Sequence, residues 1–393
     1  MKIISINAGS SSLKFQLFNM DNEEVIVSGL FERIGIENSC YTFKYNGEKI
    51  TEEVELATHS DAVSILLDKL ISLNIISSLD EIDGVGHRVV QGGEKYDKSV
   101  IITDEVIEDV ESFKELAPLH NPAGLLGIKA FKEALPNVPM VAVFDTAFHQ
   151  TMPEESYIYP VPYSWYKDYR VRKYGFHGTS HRFINEKVSE LMGRKDLKVI
   201  SCHLGSGASI CAIDSGKSVD TTMGFTPLAG LMMCTRSGDV DPSIIPYVME
   251  KEGKNASEII DDLNKKSGFI GVSELSSDYR DILKGLEEEN EKCILANNRY
   301  IKTVVSYIAN YYVLLGGADA IVFTAGLGEN NGKLRASVIE KLSCLGIEID
   351  EEANECSGEI RKISTDNSKT AVYVIPTDEE LMIAKDTLKL VQQ

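Results

Sequence analysis

The chain has 393 residues, 43% apolar and 25% charged, with 60 acidic against 40 basic side chains and a formal charge of −20. That length suits two cores better than one. The charge balance argues against a nucleic-acid surface or an anionic membrane as partner, but a few clustered Arg and Lys can still hold a small anion. The seven cysteines are irregularly spaced and form no CxxC pair, so they read as reduced thiols of a cytosolic protein. The N-terminus has no apolar run of signal-peptide length. The most apolar stretch, 304–323, is broken by Asn310, Gly316, Gly317 and Asp319, and reads as a buried helix followed by a strand.

In chain order, residues 3–7 form a β-rich run that stops at Ala-Gly-Ser-Ser-Ser, with 13–18 as its hairpin partner. Residues 61–73 carry apolar side chains at helical spacing. Residues 83–90 and 140–144 read as buried strands, the Pro- and Tyr-rich stretch 152–169 as a loop, and 180–192 as an amphipathic helix. Residues 200–214 (ISCHLGSGASICAID) repeat the strand, small-residue turn, strand plan of residues 4–18 (ISINAGSSSLKFQLF). Ile, Ser, Gly and Ser coincide at the same offsets, the pattern of an internal duplication. Further helices are predicted at 256–266, 278–289 and 293–315. Strands are predicted at 320–324 and 371–375, and a closing helix at 379–391.

This alternation indicates an α/β protein. The expected boundary follows Asp145-Thr-Ala-Phe-His. It gives an N-terminal domain of 1–149, to which 380–393 returns, and a C-terminal domain of 150–379.

The common nucleotide fingerprints fail. A P-loop at Gly332-Lys333 would need Gly where Leu327 stands and Ser or Thr where Leu334 stands. Three GxG runs, at Gly84, Gly205 and Gly326, are followed by Val89, Ile210 and Asn331 instead of the third glycine. A GxSxG elbow is absent. His177 and His181 have a metal-compatible spacing, but no third ligand accompanies them. What remains is three small-residue turns, at 8–12, 205–209 and 325–330, each directly after a buried strand. Turns of this kind let backbone N–H groups cradle phosphate.

Longer motifs run nearly from end to end. They are Asn7-Ala-Gly-Ser-Ser-Ser-Leu-Lys14, Gly86-His-Arg-Val-Val-Gln-Gly-Gly93, Phe144-Asp-Thr-Ala-Phe-His149, Tyr174-Gly-Phe-His-Gly-Thr-Ser-His181, Met223-Gly-Phe-Thr-Pro-Leu-Ala-Gly230, Cys234-Thr-Arg-Ser-Gly-Asp239, Ser277-Asp-Tyr-Arg280, Thr324-Ala-Gly-Leu-Gly-Glu-Asn330 and Pro376-Thr-Asp-Glu-Glu-Leu381. In this order the sequence resembles the acetate kinase family, within the superfamily of actin and the sugar kinases. The resemblance implies a duplicated, actin-like (ribonuclease H-like) two-domain α/β fold with an active-site cleft between the domains. It also implies reversible, Mg²⁺-dependent transfer of the ATP γ-phosphoryl group to acetate, with Mn²⁺ as a possible substitute, in a cytoplasmic homodimer.

The chemistry suits these residue types. Acetate is ionised at pH 7 and needs no general base to become a nucleophile. The obstacle is bringing one anion against another, roughly 4 kcal/mol per unit-charge pair at ~4 Å and an effective dielectric of 20. Cations and positioning are therefore the main requirements.

By resemblance, Arg88 and Arg236 hold the carboxylate and the transferring group, and His177 donates to that group in the transition state. Asp145 is the essential acidic residue. Although the family's Asp is often described as a proton donor or acceptor, a carboxylate nucleophile has no proton to give, which favours a positioning or metal-water role. Asn7 and Glu379 orient the metal, with Glu380 not separable from Glu379. Ser12 and Lys14 belong to the first phosphate hairpin.

The nucleotide lies against His203, Leu204, Gly205, Ser206 and Gly207, then Asp278, Tyr279 and Arg280, then Gly326, Leu327, Gly328, Glu329 and Asn330. His120 is a further candidate for phosphate contact. The acid's methyl group meets Val90, Leu119, Phe176 and Pro227. Val90 should favour acetate over longer acids, since one methylene discriminates by ~1–3 kcal/mol.

Three positions depart from the commoner family pattern: Ser206 for Asn, Cys234 for Gly and Tyr279 for Met. The rival readings are a propionate or short-chain acid kinase of the same architecture, and a non-catalytic actin-like ATP-binding module.

Overall fold

In the computed structural model, which describes every residue except Leu119, the chain divides into two compact units. The first is Met1–Gln150 with Asp378–Gln393, and the second is Thr151–Thr377. The first unit grows from an apolar hairpin. Lys2–Gly9 (β1) pairs antiparallel with Ser12–Asn19 (β2), and Ile4, Ile6, Leu13, Phe15 and Leu17 are all buried. Glu24–Glu32 (β3), Cys40–Tyr45 (β4) and Glu48–Glu53 (β5) extend the meander antiparallel. The periodicity argument left these three strands unassigned.

The helix His59–Ser72 (α1) starts at a reciprocal Thr58–Asp61 capping box. The chain then enters Ile82–Val89 (β6), parallel to β1. Val100–Ile101 (β7) and the helices Asp104–Ser112 (α2) and Asn121–Ala134 (α3) lead to Met140–Phe144 (β8), parallel to β6. The sheet order is β5-β4-β3-β2-β1-β6-β8-β7.

One face of that sheet packs on α1 and α3. The other receives the C-terminal helix, Glu379–Val391, which buries Met382, Ile383, Ala384 and Thr387. That close crossing requires small residues on β6. A Cβ on Gly86 would lie 2.3 Å from Thr387 Oγ1 and 2.5 Å from Ile383 Cγ2. Asp378 caps the helix by accepting from the Leu381 N–H at 2.9 Å. Two acidic residues, Glu379 and Glu380, then occupy its first turn, where the helix dipole favours negative charge.

The second unit begins with two short helices, Glu154–Tyr157 (α4) and Tyr163–Tyr169 (α5), where the sequence suggested a loop. The helix Gly178–Met192 (α6) follows, ending on left-handed Gly193. The strands Lys198–Leu204 (β9), Ala208–Asp214 (β10) and Lys217–Thr221 (β11) form an antiparallel meander. Five helices come next: Ile244–Glu252 (α7), Ala256–Lys265 (α8), Gly268–Ser273 (α9), Tyr279–Glu287 (α10) and Glu291–Leu314 (α11). Ala320–Thr324 (β12) pairs parallel with β9.

Residues 325–330, read from sequence as a turn, form the short helix Ala325–Asn330 (α12), and Gly332–Lys341 (α13) succeeds it. Side-chain contacts hold these residues helical. The Glu329 carboxylate folds back to accept the Ala325 N–H at 2.7 Å, closing a helical turn around the small residues. Arg361–Lys362 (β13) and Ala371–Val374 (β14) complete a sheet of order β11-β10-β9-β12-β14-β13.

The two sheets share a plan. In each, an antiparallel three-strand meander is followed by two strands that add in parallel beside its first strand: β3-β2-β1-β6-β8 in one, β11-β10-β9-β12-β14 in the other. The similar segments 4–18 and 200–214 are the first hairpin of each. None of the described helices is long and apolar enough to cross a membrane.

Candidate active site

In open α/β sheets, ligand-binding groups gather at the carboxyl ends of the parallel strands. In the first unit, Asn7 lies near that end of β1, Arg88 near that end of β6, and Asp145 directly after β8. Their side chains converge. The Arg88 guanidinium donates from Nε to Asp145 Oδ1 at 3.0 Å and Oδ2 at 3.2 Å, and from Nη2 to Oδ2 at 2.6 Å. Its Nη1 donates to Asn7 Oδ1 at 3.3 Å.

Asp145 is sealed from solvent, with 1% side-chain exposure, while Arg88 retains 23%. One side of the guanidinium is thus locked and part of it stays reachable. Burial opposes the charge on Arg88, but Asp145, Glu379 and Glu380 outweigh it and raise its pKa further.

Glu379 and Glu380, inseparable in sequence, part company here. Glu380 forms an ion pair with Lys14 on the hairpin. Glu379 faces the Arg88–Asp145 pair. Burial pushes its carboxyl up to about 7; Arg88 and Lys14 pull down against it, while Asp145 and Glu380 push the same way as burial. Asn7 and Glu379 are hard oxygen donors, the set Mg²⁺ takes when phosphates and waters fill the remaining positions. A cation beside Glu379 would also relieve the cost of ionising it, so the residues present fit the metal.

Ser12 opens β2 at the hairpin turn. Val90 follows β6 and is half-buried. His120 sits at the N-cap of α3. Leu119 lies outside the described residues.

The second unit carries a histidine cluster. His177 adopts left-handed φ 56°, ψ 23° at the N-cap of α6, a conformation that costs energy for a residue with a Cβ. Its ring stacks on His203 at the end of β9, with centroids 4.1 Å apart. His177 Nδ1 lies 2.9 Å from Ser209 Oγ, and His181 Nε2 approaches the same oxygen at 2.8 Å. The i, i+4 histidines therefore share a hydroxyl. His203 Nδ1 lies 2.8 Å from Ser180 Oγ.

Arg236 reaches the same region. A Cβ on Gly207 would come within 3.4 Å of Arg236 Nη1 and 3.6 Å of His177 Cε1. Arg236 Nη1 is steadied by the Pro227 carbonyl at 3.1 Å. Among the described residues no carboxylate bonds its guanidinium, and burial pulls its pKa down. Phe176 is buried beside His177 in the chain, and Pro227 is partly exposed.

A cavity of about 690 Å³ opens in this unit. Its lining unites three segments far apart in sequence: Gly205, Ser206 and Gly207; Asp278, Tyr279 and Arg280; Gly326, Leu327 and Asn330. Arg236 lies on its wall. Asp278 caps α10 and takes a bidentate fork from Arg280, which holds its carboxyl down to about 2. Tyr279 is buried, its hydroxyl donating to Asn297 Oδ1 at 2.6 Å, and burial pushes its pKa up to about 12.

Other expected nucleotide residues are absent from that lining. Leu204 is fully buried in β9. Gly328 packs against the Phe323 backbone. Glu329 turns inward to the Ala325 and Thr377 N–H groups.

Sequence reasoning placed Ser180 in a longer motif and Ser209 in a small-residue turn, but gave neither a contact with the histidines. It also missed Cys234, Thr235 and Leu283 as cavity lining. A larger concavity of about 740 Å³ lies along residues 35–39 and 53–57. It presents Glu37, Glu53 and Glu55 and no cation, which rules it out as a phosphate site.

A family model for the acetokinase family matches residues 2–385. The chain is 56% identical over 391 residues to the acetate kinase of Bacillus subtilis (strain 168), covering 99% of each. Among solved structures, it superposes on Porphyromonas gingivalis acetate kinase with a TM-score of 0.96 at 44% identity, covering 99% of each chain. It superposes on a propionate kinase from Francisella tularensis subsp. tularensis SCHU S4 with a TM-score of 0.94 at 40% identity, again over 99% of each.

Fold and relatives together define the class: an α/β phosphotransferase with a carboxyl group as acceptor. More particularly, the chain belongs to the acetokinase family. ATP-dependent phosphorylation of acetate is that family's reaction, and it requires a divalent metal.

Proposed function

We propose that this chain catalyses reversible transfer of the ATP γ-phosphoryl group to acetate, giving acetyl phosphate and ADP. The observation that carries the reading is the cavity of about 690 Å³ with Arg236 on its wall, in a chain of this family. Its three backbone-rich segments suit a nucleotide: Gly205 to Gly207 for the phosphates, Asp278 to Arg280 for the ribose and base, Gly326 to Asn330 for the α-phosphate side. Within this group, His203 steadies the stacked His177 ring, while Leu204, Gly328 and Glu329 act by shaping the wall.

Arg88 binds the acetate carboxylate with the part of its guanidinium that Asp145 leaves free. The grip of Asp145 on Arg88 supports a positioning role for that carboxylate, in keeping with a nucleophile that carries no proton. The acetate oxygen forms the new P–O bond in line as the bond to the ADP oxygen breaks, and the electron pair leaves with ADP. Arg236 and His177 stabilise the charge spread over the equatorial oxygens. Ser12 and Lys14 meet the phosphates from the first hairpin.

Mg²⁺ is the proposed metal, held through Asn7 and Glu379; bound there, it would neutralise phosphate charge. Val90, Leu119, Phe176 and Pro227 form the proposed methyl pocket. Transfer requires the acid and the γ-phosphoryl group to be held in line with water excluded.

A cytoplasmic homodimer is the proposed form. Homodimers are the form the family resemblance implies. Light scattering is then expected at about twice the 43.4 kDa chain mass.

The activity is tested by trapping acyl phosphate with hydroxylamine, using ATP, Mg²⁺ and either acetate, propionate or butyrate. Signal with acetate above propionate is the expected result. Propionate ahead of acetate would favour the second reading, which the likeness to a propionate kinase keeps in view. No signal with any acid would leave a nucleotide-binding module.

A further inference from the structure

Arg335 on α13 is the largest fully buried side chain of the described residues, at 0% exposure. Its Nε donates to Asn354 Oδ1 at 2.8 Å. Nη1 donates to the Gly328 and Glu329 carbonyls at 2.8 and 2.9 Å, and Nη2 to the Asn354 and Cys356 carbonyls at 2.7 and 2.9 Å. All five guanidinium N–H groups are therefore used. Each of these acceptors is a neutral carbonyl oxygen. A charge buried without a carboxylate is costly unless dipoles are aligned on it. The five carbonyls must accordingly hold their places relative to one another.

Two of those carbonyls end α12, the helix that supplies Gly326, Leu327 and Asn330 to the nucleotide cavity. α12 has six residues, too few to be stable by propensity, and it opens on Ala325 at φ 63°, a strained value for a residue with a Cβ. Outside contacts must hold it. At its start, Glu329 accepts the Ala325 and Thr377 N–H groups at 2.7 and 3.1 Å. At its end stands Arg335. Asn330, on the cavity wall, is also tied to residue 357 by the Ser357 hydroxyl at 2.7 Å.

We propose that Arg335 is a positioning residue for the phosphoryl donor. Its carbonyl cage sets α12 against residues 354–356, and so sets the wall that receives the nucleotide. The inference rests on reading the cavity as the nucleotide site.

Arg335→Lys tests it, because it keeps the charge but offers one nitrogen where three stood. ATP and acetate are varied separately in steady-state kinetics, and ADP binding is measured by calorimetry. The expected result is a rise of about tenfold or more in the ATP KM and ADP Kd, with the acetate KM within about twofold. Equal rises in both KM values, or an unchanged ATP KM beside a lowered Tm, would overturn it. Should Arg335→Lys not fold, Asn354→Ala removes only one acceptor from the guanidinium. A smaller rise confined to the nucleotide supports the proposal, and an unchanged ATP KM sinks it. Failure of the unaltered protein to bind ADP would instead overturn the reading of the cavity itself.

Discussion

Arg236 is the side chain whose proposed role is most exposed to test. It is steadied by a backbone carbonyl and partly buried, so its charge is available to an incoming anion. Arg236→Ala is expected to lower kcat by about 100-fold or more while the ATP KM moves only a few-fold, because the contact strengthens as charge develops. Comparable losses in kcat and ATP affinity would make it a ground-state phosphate binder.

His87, next to Arg88, makes a different point. Its ring packs on Phe131 and neither nitrogen has a hydrogen-bond partner. Burial pushes its pKa down to about 3. The native state keeps the ring neutral, whereas the unfolded chain takes up a proton below about 6.5. Stability from this group is therefore full above pH 6.5 and falls as pH drops toward 3, by up to about 1.4 kcal/mol per pH unit. Urea midpoints across that window should show the slope, and His87→Phe should flatten it.

Among the elements, the C-terminal helix carries the most consequence. It delivers Glu379 to the Arg88–Asp145 pair, and it can do so only because β6 presents Gly84 and Gly86 beneath it. Gly86→Val would place methyl groups where Thr387 and Ile383 stand. Overpacking of this kind costs about 1–3 kcal/mol. The variant should melt earlier and also lose activity out of proportion to its folded fraction, since Glu379 moves with the helix. A lower Tm with full activity per folded molecule would detach the helix from the site. α12 shows the converse dependence: it is built from residues that read as a turn and is made helical by contacts from Glu329 and Arg335.

At the scale of the whole molecule, the two units have separate sheets and separate cores. If the nucleotide binds only the second unit, ADP at about 100 times its Kd should add about 2.7 kcal/mol to that unit's stability. Urea unfolding followed by fluorescence of the single tryptophan, Trp165, reports on that unit. A shift confined to the Trp165 transition is expected. A far-ultraviolet circular dichroism transition that moves as a whole would mean that the units unfold together.

Sequence alone was sufficient for much of this architecture. Apolar runs of period 2 and 3.6 marked the hairpins and the long helices, because burial on one face imposes that spacing whatever the neighbours are. The paired segments at 4–18 and 200–214 marked the repeated plan. The motifs around Asn7, Arg88, Asp145, His177, Arg236 and Glu379 marked the residues to which the chemistry is proposed to belong, since charged residues in glycine-rich contexts are poor candidates for ordinary surface positions.

Other features were settled only by tertiary structure. The division of labour between Glu379 and Glu380 depends on which side of one helical turn faces Lys14. The helix at 325–330, the hydroxyl shared by His177 and His181, and the five-carbonyl cage of Arg335 all join residues brought together across the fold. No local propensity encodes such contacts. They exist because burial leaves a polar group no water to bond, and only the folded chain decides which partner stands within reach.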